Sequence, residues 1–229
     1  YGSLVQDRRR SLHAALVEGI EGLYAGRLTE QAERLAYHAL RGEVWDKAVS
    51  YSRQAGAKAA NRSVHSEAVT YLQQALEALK HRPENRQTLE QAIDIRLELR
   101  NSLQPLGEQT KLLERMREAE ALAESLNDQG RLGQVSAYLS GYFVQAGDDA
   151  LQAIETGQRA LAIASAIDDL SLKIQANHFL GSAYYRRGEY DQAIEHFRGN
   201  VDSLVGDQIY ERFGLVFLAS VGSRYQLVL

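Results

Sequence analysis

Six histidines, His13, His38, His65, His81, His178 and His196, are the side chains best suited to move a proton or hold a metal ion near neutral pH. A metal site needs at least three converging ligands. None of the six stands at H-x3-H spacing to another, and none enters an H-E-x-x-H. His178 and His196 fall on facing helices of one expected hairpin, where a packing or surface role is the simpler reading. Asp148-Asp149 and Asp168-Asp169 are paired acids of the type used in general acid–base work. Both pairs precede helical stretches, and carboxylates there complement the positive end of a helix. No G-x-x-x-x-G-K-[ST], G-x-G-x-x-G or G-x-S-x-G occurs, so no phosphate loop or nucleophile elbow is expected. The chain has no cysteine, which removes disulfides, thiolate metal sites and a thiol nucleophile. The sequence therefore nominates no catalytic, cofactor or metal residue, and no enzyme. What stands out instead is Tyr138, Tyr142, Tyr184, Tyr185 and Tyr190, crowded into one stretch. Exposed Tyr and Arg are enriched at protein-binding hot spots.

Helices must position these side chains. The 229 residues are 45% hydrophobic and 24% charged, with two prolines, Pro83 and Pro105. That composition suits a folded, helical protein. Val5, Leu12, Leu16, Ile20 and Leu23 recur at helical spacing. Thr29 is expected to cap the next helix, and Ser63-x-x-Ser66-Glu67 to open another. Helices are expected near 45–61, 63–79, 87–104, 109–126, 131–146 and 149–167. Trp45 lies at a turn, placed to pack between hairpins. His81 to Arg86, H-R-P-E-N-R, reads as a helix-breaking loop. Net charge is −4, and Arg131, Arg159 and Lys173 face seven carboxylates between residues 121 and 180. That balance argues against a nucleic-acid binder. Arg8-Arg9-Arg10 reads as a solvated helix face. No apolar run approaches the ~20 residues of a membrane span, and the cytoplasm is the expected location. The chain begins at Tyr1, not Met, and is expected to be a piece of a longer protein.

Repeats organise the helices. Ile174 to Val205 carries Leu180-Gly181, Tyr184, Ala193 and Phe197 in the spacing L-G-x2-Y…A-x3-F. This resembles the tetratricopeptide repeat, a two-helix hairpin. Gly181 allows a close approach, Tyr184 fills the hairpin, and Phe197 plugs the gap to the next hairpin. Gly107, Gly147 and Gly188 recur at nearly one period as turn residues, as do Leu99, Leu139 and Leu180. The expected fold is all-α, a right-handed α-solenoid in one domain, residues 1–229. Its hairpins fall near 5–41, 44–80, 87–127, 130–167 and 170–204, followed by a terminal helix over 208–227. In that last helix Leu215, Val216, Leu218, Val221 and Leu227-Val228-Leu229 are apolar without a polar cap, which implies self-association through this end.

Glu33 to Gly56, E-R-L-A-Y-H-A-L-R-G-E-V-W-D-K-A-V-S-Y-S-R-Q-A-G, is similar to the repeat region of large bacterial signalling proteins. In these a class III adenylate/guanylate cyclase or related domain precedes a signal-transduction ATPase, and the repeats come last. Leu89 to Glu108 resembles the same region. The resemblance implies a sensor or scaffold module, and it carries over no catalytic residue. The function expected is protein–protein interaction. The competing readings are a nucleotide-binding or catalytic domain, and a nucleic-acid-binding helical repeat of a transcription regulator.

In stacked hairpins the first helices face inward. Counting back from the signature, the expected protein-binding groove is Gln175, His178, Ser182, Tyr185 and Arg186. One repeat earlier it is Gln134, Tyr138 and Gln145, and before that Asp94, Asn101 and Gln104. The set is amide-rich and nearly uncharged. It suits a helix or extended segment, including one from the parent protein's own ATPase domain, and not a clamp for the carboxylate of a chaperone tail. No cofactor, nucleic acid or membrane is expected as a partner.

Overall fold

A computed structural model of the chain describes residues 2–147, 149–215 and 217–228, with side chains from residue 5 on. Among the described residues there are eleven α-helices and no strand. They are α1 (Gly2–Leu23), α2 (Ala32–Arg41), α3 (Trp45–Asn61), α4 (His65–Leu79), α5 (Arg86–Leu103) and α6 (Gln109–Ser125). Then come α7 (Gln129–Ala146), α8 (Ala150–Ala166), α9 (Leu170–Arg186), α10 (Tyr190–Ser203) and α11 (Ala219–Gln226). α1 packs on α2, α2 on α3, α3 on α4 and α4 on α5, and α7 on α8, α8 on α9 and α9 on α10, the neighbour-to-neighbour packing of a helical repeat. The five expected hairpins are these helices taken in pairs from α1 to α10.

The chain divides into two compact units, residues 1–122 and 123–229, where the sequence suggests a single domain. In the first unit Leu35, Ile93, Ile95, Leu99, Leu103 and Met116 are wholly buried. Ion pairs fasten helices of this unit together: Lys58 to Glu33 at 2.9 Å, Arg53 to Glu98 at 2.5 Å and Arg96 to Glu118 at 2.8 Å. Glu21 of α1 receives both Lys47 and the Tyr51 hydroxyl of α3, each at 2.6 Å. Burial, and then that carboxylate, push the Tyr51 phenol up to about 12. Trp45 stacks on His81 at 4.0 Å, and beside it Arg82 pairs with Asp46. In the second unit the core is Val135, Leu139, Ile174, Leu180 and Phe197.

Turn chemistry sets the helix ends. Gly107, Gly147 and Gly188 all have positive φ, between 71° and 78°, so each period marks a left-handed turn that glycine adopts without strain. Asp128, Asp149 and Asp169 each accept a hydrogen bond from the backbone N–H three residues on, at 2.9–3.0 Å. Asp148 lies outside the described residues. Asn85 caps α5 in a reciprocal box. Its side chain takes the Thr88 N–H at 3.0 Å while the Thr88 hydroxyl takes the Asn85 N–H at 2.9 Å. Replacing Asn85 by Ala is expected to cost about 1 kcal/mol, read as a lowered thermal midpoint; an unchanged midpoint would show the box to be dispensable.

Three expectations about elements are corrected. Thr29 does not cap a helix: residues 28–31 form a 3-10 turn, and α2 starts at Ala32 without a side-chain cap. Ser63 has a left-handed φ of 59° and is not the N-cap of α4; Val64 precedes His65 there. The terminal helix over 208–227 does not form as a whole. A 3-10 turn over Gly206–Tyr210 and an irregular stretch precede α11, which begins only at Ala219. Phe213 and Gly214 are successively left-handed, at φ 49° and 76°, and this breaks the helix. Of the apolar residues expected there, Leu215 is buried while Val221 and Val228 are exposed; Val216 and Leu229 lie outside the described residues.

Candidate functional site

The expected groove residues fall on both units. Asn101 and Gln104 belong to α5 and its C-terminal cap in the first unit. There Asn101 is exposed and its Oδ1 accepts from Arg100 at 3.0 Å. Asp94 is half-buried on the same helix. The remaining eight lie on α7 and α9 of the second unit.

These two first helices lie side by side because small residues let them approach. A Cβ on Gly141 would come within 2.6 Å of the Phe179 ring, and one on Gly133 would overlap Leu172. Behind them Ser140 donates to the Ala153 carbonyl at 2.6 Å, tying α7 to α8. At the N-terminal ends of α7 and α9 sits a polar notch of about 280 Å³, lined by Arg131, Gln134, Ser171 and Gln175 with the capping Asp128 and Asp169. Gln134 and Gln175 are equivalent positions one repeat apart. Gln134 is half-buried and donates weakly to the Tyr138 hydroxyl at 3.4 Å. Gln175 is 4% exposed, and its Oε1 has no hydrogen-bond partner.

A second group collects at the other end of the same helices, about 15 Å further along α9. Tyr185 is exposed and meets Tyr190 edge-on at 5.6 Å. Arg186 is exposed too, and its guanidinium reaches Gly147 at the end of α7, 3.3 Å from where a Cβ would stand. Gln145 is exposed on the last turn of α7, and Ser182 is half-buried, donating to the His178 carbonyl at 2.8 Å.

Three groove expectations are corrected. Tyr138, Gln175 and His178 are buried and not exposed. Residues 174–181 of α9 are buried without a gap, because neighbours cover every side of the helix. His178 points among Phe179, Phe197 and Phe217, at centroid distances of 5.0–6.0 Å. That burial pushes its pKa down to about 4, so the ring is neutral at pH 7. His196 does not meet it. Its Nδ1 donates to Asn177 Oδ1, 3.1 Å away, and its ring stacks flat on Tyr184 at 5.6 Å. Tyr184 lies between α9 and α10 as its spacing implies, half-buried, with its hydroxyl accepting from Gln158 at 3.0 Å.

Sequence reasoning missed the C-terminal segment as a participant. A Cβ on Gly214 would stand 2.8 Å from Gln175 Nε2, and Phe217 lies edge-on to His178 at 5.0 Å. One signal was available. V-G-S-R-Y-Q (221–226) aligns without a gap on L-G-S-A-Y-Y (180–185), so α11 is the second half of a sixth first helix.

In the first unit His13 and His38 hold their Nδ1 atoms 2.8 Å apart. Burial, then the neighbouring His13 and Arg34, lower the His38 pKa. No third ligand joins them, and no cluster of three metal-binding side chains exists among the described residues. No described helix is long and apolar enough to cross a membrane.

No family model matches the chain, and no curated protein does. Among solved structures it is similar to the crystal structure of BtubC (BKLC) from P. vanneervenii, with a TM-score of 0.60. The two are 16% identical over 88% of this chain and 94% of that one. The likeness is one of fold, and with the pairwise helix packing it places the chain in the class of all-α helical repeats of the solenoid kind.

Proposed function

We propose that this chain is a polypeptide-binding regulatory module, the repeat portion of a larger bacterial signalling ATPase or cyclase. One observation carries the reading. Gln134 and Gln175, the same position in successive repeats, line one polar notch at the ends of α7 and α9. A side-chain amide offers both a donor and an acceptor, the pair that an extended backbone needs. Uncharged amides also bind a segment without demanding a fixed charge on it. Tyr185 and Arg186, exposed at the far end of α9, supply the residue types that anchor such a segment. The partner proposed is an extended stretch of protein, including one within the ATPase domain of the same parent chain. The cytoplasm is the proposed location.

Selection of a phage-displayed random peptide library on the immobilised chain tests this. Uncharged extended segments are expected to be enriched. Combining Tyr185→Ala with Arg186→Ala is expected to weaken the best of them by about 2 kcal/mol, roughly thirtyfold, by calorimetry. Unchanged affinity in a folded variant would sink the reading. A saturable DNA shift that fades with salt would move the chain to the nucleic-acid binders instead.

A further inference from the structure

The face of α9 and α10 beneath the C-terminal segment is buried but not satisfied. Gln175 Oε1, His178 Nδ1 and Asn200 Oδ1 are enclosed without hydrogen-bond partners. All three side chains belong to residues more than nine-tenths buried. Each touches the C-terminal segment: Gln175 at Gly214, His178 at Phe217, and Asn200 through its Nδ2 at Ser223, 3.4 Å away. Buried polar atoms in native proteins are nearly always paired, and an unpaired one costs stability. The segment over them is poorly built. None of its described residues between Tyr210 and Ala219 is helical, two successive residues are left-handed, and Val205 and Tyr210 stand exposed. In sequence it precedes α11 as the first half of α9 precedes 180–185.

We propose that Val205–Leu218 is a displaceable strap holding the seat of a partner polypeptide on the α9–α10 face. The partner is an extended segment that copies the strap's two contacts. It sets a residue without a side chain against Gln175 and, three positions on, an aromatic ring beside His178. Its backbone N–H groups or polar side chains then reach Gln175 Oε1 and His178 Nδ1, which the strap leaves unpaired. This rests on the reading of the chain as a polypeptide-binding module and specifies the segment it takes.

A labelled synthetic peptide of residues 205–218 is the probe, read by fluorescence anisotropy against the whole chain. Gly214→Val should unseat the strap, since its φ of 76° and the nearby Gln175 both oppose a side chain. The variant is expected to bind the peptide at least about tenfold more tightly than the wild type, whose seat is occupied most of the time. A peptide carrying Phe217→Ala should lose that binding. Equal binding to both chains, or none to either while α9 and α10 stay protected from hydrogen exchange, overturns the proposal. Should Gly214→Val unfold the second unit, Gln175→Leu decides. Removing an acceptor that the strap cannot satisfy is expected to raise the thermal midpoint and slow exchange over 205–218, and a lowered midpoint overturns the proposal. Library segments that bind while the strap peptide fails would sink this inference alone; if no segment binds any variant, the functional reading falls with it.

Discussion

Phe197→Ala is expected to remove about 3–5 kcal/mol from the stability of the second unit, a large share of the ~5–15 kcal/mol that holds an ordinary domain together. The ring is 1% exposed. It lies so close over Gly181 that a Cβ there would stand 2.7 Å from it. Truncation therefore opens a cavity floored by a residue with no side chain to move into it. The loss should fall at the upper end of the range for that reason, since the cost grows with the volume left unfilled. Urea denaturation followed by circular dichroism measures it: a lower midpoint at unchanged slope is the expected result. Phe197→Leu, which keeps most of the volume, should lose less. A loss below about 1 kcal/mol for the alanine variant would mean that the ring is not a central packing residue.

Acid is expected to weaken the same unit through His178. Burial among three phenylalanines lowers its pKa from the ordinary 6.5 to about 4. Between those two values the unfolded chain takes up a proton that the folded one refuses, so stability falls as the pH falls. The contribution is fully present above pH 6.5 and is lost on the way down to about 4, some 3 kcal/mol in all. His196 is also lowered, by burial, and adds to the slope in the wild type. A His178→Phe variant isolates the single residue, because the His196 contribution is common to both proteins. Denaturation midpoints of the two, taken across this pH range, should converge as the pH rises. A constant difference would show that His178 is not held neutral by burial.

Much of this architecture can be read in the residues, and the failures have two causes. The hairpins followed from helical periodicity and from Gly107, Gly147 and Gly188, whose left-handed turns need a residue without Cβ. Gly181 is expected to admit a neighbouring helix and Phe197 to fill the gap to the next hairpin; Phe197 lies instead over Gly181 of its own hairpin. Phase arguments failed inside α7 and α9. A helix covered on all sides has no solvent stripe, so its polar residues do not mark an outer face. Tyr138, Gln175 and His178 were misplaced for that reason. The C-terminal segment failed differently: its apolar residues keep helical spacing, but the left-handed pair Phe213 and Gly214 interrupts the backbone. A pattern of side chains does not report such a break. The notch at the ends of α7 and α9 was half legible, through Gln134 and Gln175, while the strap beside it was not.

Packing between sequence neighbours also sets how the second unit assembles and comes apart. α7 meets α8 and α9, α9 meets α10, and α10 meets α11. From α7 to α10 each connection is only three residues long, so little chain entropy is lost before the first contact forms, and folding should be fast for the size. The reverse path begins at the shortest α-helix. α11, eight residues long, rests chiefly on α10 and less on α9 among the described residues. A helix so short has little stability of its own. It is the part that should fray first, on the timescale of local opening and well before α9 loosens.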